Sequence, residues 1–287
     1  MSEILSQKIK VALIQMLASS ADKRANLERA ALLVGRAMEK QPDTKLVVLP
    51  ELFNAPCSVH KFREYAEIIS DDSYTVSFLS NLASKYKITL VGGSMPEIDP
   101  LTDKVYNTAL VFNEEGTLVA THRKVHLFDI DIPNGITFTE SDSLSAGSKV
   151  TAVTTPYGNI GIAICYDLRF PELAMIAARR ENIFAMVYPA AFNLVTGPLH
   201  WHLLGRARAA DNQIYTLLCA PARNLESEYK AYGHSLVCDP KGEIVTEAGD
   251  GEDILFAELD PDLIESVRKA IPLTKQRRYD VYPNVAE

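Results

Sequence analysis

Two stretches of this chain match each other without a gap. Tyr106, Leu110, Val111, Gly116 and Val119 answer Tyr232, Leu236, Val237, Gly242 and Val245 at one constant offset. Each stretch reads as a hairpin whose turn, NEEG or DPKG, carries a glycine for the left-handed conformation. A second echo precedes each hairpin, LPELFN at Leu49 to Asn54 and YPAAFN at Tyr188 to Asn193. Two echoes in the same order point to two pseudo-symmetric halves. Around them, short apolar runs alternate with helical spacing, which predicts an α/β layer architecture. Strands are predicted at Val11 to Met16, Leu46 to Leu49, Ile88 to Val91, Ile160 to Cys165, Phe184 to Tyr188 and Ile214 to Cys219. Helices are predicted through Leu27, Ala31, Val34 and Met38, capped by Ser20 or Asp22, through Phe78, Leu82 and Tyr86, and from Pro171 and Pro198. With no linker or composition break, residues 1–287 form one expected domain: two sheets face to face, helices outside.

Composition removes several function classes. Hydrophobic residues at 47% supply a core, and charged residues at 23% are ordinary for a globular chain. The net charge is −8 and the basic residues are scattered, so no nucleic-acid partner is expected. The longest apolar run, Ile183 to Phe192, is about half the ~20 residues that cross a bilayer, so no membrane span is expected either. MSEILSQKIK lacks the pattern of a secretory or arginine-rich leader. Cys57, Cys165, Cys219 and Cys238 show no CxxC spacing. A reducing, cytoplasmic setting is the expectation.

Chemistry is sought first at Cys165, which ends the apolar run IGIAIC before a polar turn and a helix. Reactive groups of α/β sheets collect beyond the carboxyl ends of strands. A small core residue is the plainer alternative, and it is kept for Cys57, Cys219 and Cys238. A nucleophilic thiol needs a proton acceptor. Glu51, directly after the strand in VVLPE, is placed at the same sheet edge; its counterpart in the second half is Ala190, so the fold does not itself require a carboxylate there. Lys124, in THRKVHLF, follows the first hairpin, whereas TEAGDG follows the second. The pairs His122 with His126 and His200 with His202 are spaced like metal ligands, but neither HExxH nor a third ligand accompanies them, so no metal site is expected.

LPELF, HRKVHLFDIDIP and GIAICYDLRFPE together resemble the nitrilase superfamily of carbon-nitrogen hydrolases, and the resemblance covers essentially the whole chain. It implies a four-layer αββα sandwich, a homodimer joined through helical layers, and a Glu-Lys-Cys triad in which Glu51 is the general base, Lys124 the electrostatic partner and Cys165 the nucleophile. It also implies a second glutamate beside the lysine, matched to Glu140, which the residues alone would equally make a capping or surface group. The implied chemistry is acyl transfer through a thioester on a small amide, its oxyanion met by Lys124 and the backbone NH of Tyr166, with no cofactor.

HLFDIDIP and FNLVTGPLHWHLLGRARAADNQ look like the ω-amidase branch, which hydrolyses short dicarboxylic monoamides such as α-ketoglutaramate and α-ketosuccinamate. Arg169 is then either a partner for the substrate carboxylate or a structural arginine bonded to Glu172 or a loop carbonyl. Phe192, Thr196 and Tyr166 are either pocket or packing residues, and Trp201 reads as helix packing. The competing readings are an amidase for deaminated glutathione, a nitrilase proper, a catalytically silent binding scaffold and a thiol redox sensor using Cys165.

Overall fold

The computed structural model describes residues 4–17, 21–133, 136–278 and 280–281. In the first half lie β1 (Ile9–Gln15), β2 (Thr44–Val48), β3 (Thr89–Asp99), β4 (Lys104–Phe112) and β5 (Leu118–Arg123). A two-stranded ribbon follows, β6 (Asp129–Asp131) with β7 (Thr137–Thr139). The second half holds β8 (Thr151–Thr155), β9 (Gly158–Ile162), β10 (Ile183–Pro189), β11 (Tyr215–Cys219), β12 (Leu236–Cys238), β13 (Ile244–Glu247) and β14 (Asp253–Leu259). Helices α1 (Lys23–Lys40), α2 (Phe62–Tyr65) and α3 (Tyr74–Tyr86) belong to the first half, and α4 (Pro171–Arg180) and α5 (Thr196–Asn212) to the second.

The two sheets run β14-β1-β2-β3-β4-β5 and β13-β12-β11-β10-β9-β8. Five consecutive strands of each, β1–β5 and β9–β13, correspond in the order the internal echoes predict. In β1, Val11 and Leu13 pack toward the second sheet's Phe184 and Leu217, while Ala12 and Ile14 pack on Leu27, Val34 and Leu79 of α1 and α3. Burial on both faces is what a sheet covered by a sheet and by helices requires. The arrangement is the four-layer αββα sandwich. One feature departs from simple duplication. The outer strand of the first sheet, β14, comes from the far end of the chain and pairs antiparallel with β1 from Ile9↔Leu259 to Gln15↔Asp253. The second sheet takes its outer strand, β8, from the residues just before β9.

Local chemistry sets the boundaries. Asp22 caps α1, accepting the Ala25 NH at 3.0 Å; Ser20 lies outside the described residues. Gly116 and Gly242 occupy matching turns with φ of +83° and +82°. The helix expected from Pro198 begins at Thr196, because Asn193 Oδ1 accepts the NH groups of Val195 and Thr196 and starts the turn early. The strand expected to run to Cys165 stops at Ile162. Ala163 still donates to the Val187 carbonyl, but the next NH, from Ile164, is captured by the Asp167 carboxylate at 3.0 Å, and the chain leaves the ladder. Among the described residues no helix is long and apolar enough to cross a membrane.

Candidate active site

Beyond the carboxyl end of β9 the chain enters a 3-10 turn, Cys165–Arg169, with Cys165 at φ +45°. A left-handed cysteine is uncommon and is held only where the surroundings over-determine it. Asp167 does much of the holding. Its buried carboxylate accepts the backbone NH groups of Ile164 and His126, at 3.0 and 2.9 Å, and bonds the rings of His126 at 2.8 Å and His122 at 3.3 Å. Burial alone would raise its pKa; the bonds from His122 and His126 outweigh that and hold it well below the usual carboxylate range. The two histidines that bracket Lys124 in sequence therefore grip the turn that carries Cys165. They are spaced like metal ligands but serve as an anchor.

Glu51 reaches the same place from the first half. Pro50 and Glu51 follow β2, and the Pro50 carbonyl is crossed so closely by β3 that a Cβ on Gly93, at φ +64°, would lie 2.2 Å from it. Glu51 Oε1 accepts from Asn107 Nδ2 at 2.9 Å and from Lys124 Nζ at 3.1 Å, and Oε2 accepts the backbone NH of Ala191 at 2.8 Å. Lys124 is fixed through its backbone, donating to the Asn107 carbonyl at 2.8 Å just past β5. Its ammonium, 1% exposed, lies between Glu51 and Glu140, with Glu140 Oε1 at 2.9 Å. The other Glu140 oxygen accepts the Phe128 NH at 2.8 Å, so this carboxylate is buried and oriented rather than a surface cap.

Electrostatics follow from this packing. Burial opposes the charge on Lys124, yet Glu140 and Glu51 outweigh it and the ammonium is held well above its ordinary value. Burial pushes the Glu140 carboxyl up, and Lys124 pulls it back only in part. The Cys165 thiol is pushed well above its ordinary value, first by burial and then by the Glu51 charge, with Lys124 opposing. Burial thus favours the protonated form of the resting thiol.

Glu51, Lys124, Glu140 and Cys165 line one cavity of about 10 Å³, roughly the room of a single water. Phe128, Phe138, Ala191, Tyr229 and Cys57 complete its wall. Cys57, read from sequence as a core residue, stands instead at this wall. A second chamber of about 70 Å³ shares Glu51, Cys57, Ala191 and Tyr229 with it and continues past Pro221 and Asn224. Tyr229 carries no motif and was invisible to sequence reasoning; its hydroxyl donates to the Ala191 carbonyl and its ring meets Phe138 edge-on. Asp167 did leave a signal, an acid two residues past Cys165 facing a His-x-Lys-x-His run.

The remaining candidates are placed differently. Tyr166 sits at the start of the 3-10 turn, where backbone NH groups lack intrahelical acceptors, while its ring packs on Phe128 and Phe170. Arg169 bonds His200 Nδ1 at 3.0 Å rather than Glu172, with its guanidinium 4.7 Å from the centre of the Phe192 ring. Phe192 in turn packs edge-on against buried Trp201, and the Thr196 hydroxyl is engaged by Asn193 at 3.1 Å. Phe192, Thr196 and Arg169 all lie outside the lining of these two chambers.

Comparison with known proteins places this geometry. The carbon-nitrogen hydrolase family model matches residues 10–269. The omega-amidase NIT3 of Saccharomyces cerevisiae is 65% identical over 286 residues, covering 99% of this chain and 98% of its own length. The omega-amidase NIT2 of Danio rerio is 48% identical over 275 residues, covering 96% of each. The crystal structure of Saccharomyces cerevisiae Nit3, described as a member of branch 10 of the nitrilase superfamily, superposes with a TM-score of 0.90 at 62% identity, over 96% of this chain and 99% of that one. With a family match over nearly its whole length, and with the glutamate, lysine and cysteine of its three motifs gathered with Glu140 around one cavity, the chain belongs to the carbon-nitrogen hydrolases of the nitrilase superfamily.

Proposed function

We propose that the chain is an ω-amidase, releasing ammonia from the terminal amide of short dicarboxylic monoamides, α-ketoglutaramate and α-ketosuccinamate among them, through a thioester on Cys165. The observation that carries this reading is the buried Lys124 ammonium set between Glu51 and Glu140 at the wall of the cavity that holds the thiol. The omega-amidase names of relatives at 65% and 48% identity support the substrate class.

Glu51 takes the thiol proton as sulfur attacks the amide carbon. A base in contact is needed because the thiol is pushed up by burial and by the Glu51 charge. The carbonyl oxygen becomes an oxyanion, met by the Lys124 ammonium and the Tyr166 NH. Collapse breaks the carbon-nitrogen bond, and Glu51 returns the proton to the departing nitrogen, which leaves as ammonia. Water, deprotonated by the same carboxylate, attacks the thioester; the acid departs and the sulfur recovers its proton. Glu140 touches no reacting atom in this scheme and acts as a positioning residue, keeping Lys124 charged and aimed.

Arg169, half-buried on the Phe192 ring, is the cation proposed for the distal carboxylate. We propose further that residues 1–287 work as one domain, that two copies form a homodimer through helical layers, supported by Leu199 and Leu203 lying 63% and 61% exposed one turn apart on α5, and that the four unpaired cysteines serve in a reducing cytoplasm. The test is turnover of α-ketoglutaramate against deaminated glutathione. Preference for the first is the expected result, with Arg169→Gln raising KM and largely sparing kcat; preference for the second reverses the assignment within the family.

A further inference from the structure

Away from the thiol, three side chains from three separate elements meet at the surface of the second half. His202 stands on the second turn of α5, His234 precedes β12 in the left-handed conformation with φ +58°, and Glu247 ends β13. His202 Nε2 and His234 Nδ1 each lie 2.8 Å from the same oxygen, Glu247 Oε1. One ligand atom from each residue falls within 4.8 Å of the other two. The sequence suggested His200 as the companion of His202, but the fold gives His200 to Arg169 and brings His234 and Glu247 to His202 instead.

We propose that His202, His234 and Glu247 form a binding site for a late first-row divalent metal ion, zinc being the type, separate from the amide-cleaving centre. Two imidazoles and one carboxylate are the donor set that such ions prefer over magnesium or calcium. Metal-ligand bonds of about 2.0–2.2 Å in a tetrahedral site set neighbouring donors about 3.3–3.6 Å apart, so the two 2.8 Å contacts must open and the two imidazole nitrogens, which lie within 4.8 Å of each other, must settle at that spacing. The His234 ring is already fixed: it stacks on Tyr232 with centroids 4.3 Å apart, and its backbone NH donates to the Gly249 carbonyl at 2.9 Å. All three side chains are partly open, at 32%, 25% and 31% exposure for His202, His234 and Glu247, which leaves an entry path and a place for water as a fourth ligand. Without an ion, both rings share one carboxylate oxygen; with one, the same three groups clamp α5 to the β12–β13 hairpin.

The clamp touches the region beside the thiol only indirectly. The His234 carbonyl accepts the Trp201 indole NH at 2.6 Å, and the Tyr232 NH donates to the Phe192 carbonyl at 2.7 Å. A bound ion would therefore fix the segment on which Phe192 and Trp201 rest, so its expected effect is on stability. Nothing in this depends on which amide is cleaved.

The experiment uses the full chain carrying Cys165→Ala, so that the nucleophile cannot act as a ligand, after treatment with a chelator and its removal. Zinc is titrated by calorimetry and cobalt(II) by visible absorption. The expected result is a single ion per chain, cobalt d–d bands without a thiolate charge-transfer band, and a Tm that rises with added zinc. Glu247→Gln and His202→Asn should each weaken binding by about tenfold or more and abolish the zinc-dependent rise in Tm. The two variants alter different elements, so failure of one to fold leaves the other to decide. No saturable binding, binding untouched by either substitution, or a thiolate band would each overturn the proposal.

Discussion

Glu51 Oε2 accepts the backbone NH of Ala191 at 2.8 Å, joining the LPELFN loop of the first half to its echo, YPAAFN, in the second. The two loops share an ancestral-looking plan but have divided the work. The first keeps a carboxylate that meets Lys124 and the thiol, and the second keeps only a backbone donor that aims it. Duplication supplied two equivalent sheet edges, and the chemistry occupies the seam between them.

Replacing Lys124 by methionine keeps most of its volume and removes its charge. Glu51 and Glu140 are then left buried with no cation between them, and the oxyanion loses a donor. We expect kcat to fall by about a hundredfold to a thousandfold and unfolding in urea to register a loss of about 3–5 kcal/mol. A variant changed in KM alone would contradict the role assigned to the ammonium.

Cys165→Ala should release no ammonia from any monoamide while melting close to the parent. Alanine keeps the Cβ that makes φ +45° costly, so the left-handed strain of roughly 1–2 kcal/mol is the same in both proteins. Intact-mass spectrometry of the parent mixed with substrate should reveal an acyl adduct that the variant lacks. Retained turnover would end the nucleophile assignment.

Asp167→Asn withdraws a carboxylate from His122, His126 and two backbone NH groups. The folded carboxyl sits below its unfolded value of about 3.9. Its stabilisation is therefore fully present above that value and is lost as pH falls from there toward the folded one. Urea midpoints measured from pH 7 down to pH 3 should drop less steeply through this acid window in the variant, from a lower start at neutral pH. Because the same bonds hold the Cys165 turn, kcat should fall as well. Parallel acid profiles would show that Asp167 is not the group responsible.

The matched glycines give a comparison internal to the chain. A Cβ on Gly116 would lie 2.5 Å from the Ser80 carbonyl oxygen, whereas one on Gly242 would lie 3.1 Å from that of Arg206. Both positions have positive φ, so Gly116→Ala and Gly242→Ala should each destabilise by about 1 kcal/mol or more. Gly116→Ala should be the worse of the two by chemical denaturation. The reverse order would mean that the α3 carbonyl yields more easily than the one on α5.

Much of the scaffold was legible because each buried element repeats a local rule. Leu27, Val34 and Met38 recur at helical spacing, and Ile183 to Pro189 is apolar because both its faces are covered. The misplaced boundaries share one cause: at Ile164 and at Thr196 a side-chain carbonyl or carboxylate a few residues away intercepts a backbone NH, an event with no periodic signature. The outer strand β14 escaped notice for a related reason, since pairing with β1 joins residues from opposite ends of the chain.

The sequence by itself determined the alternation of strand and helix and the duplicated hairpins, and it nominated Glu51, Lys124 and Cys165 on motifs that survive as strings, with Glu140 following only from the family resemblance. Only the tertiary structure decided that His122 and His126 clasp Asp167, that Tyr229 and Cys57 wall the cavity, and that His202 meets His234 and Glu247. Those meetings depend on how two twisted sheets close on each other, and closure brings together side chains whose separation along the chain carries no record of their contact.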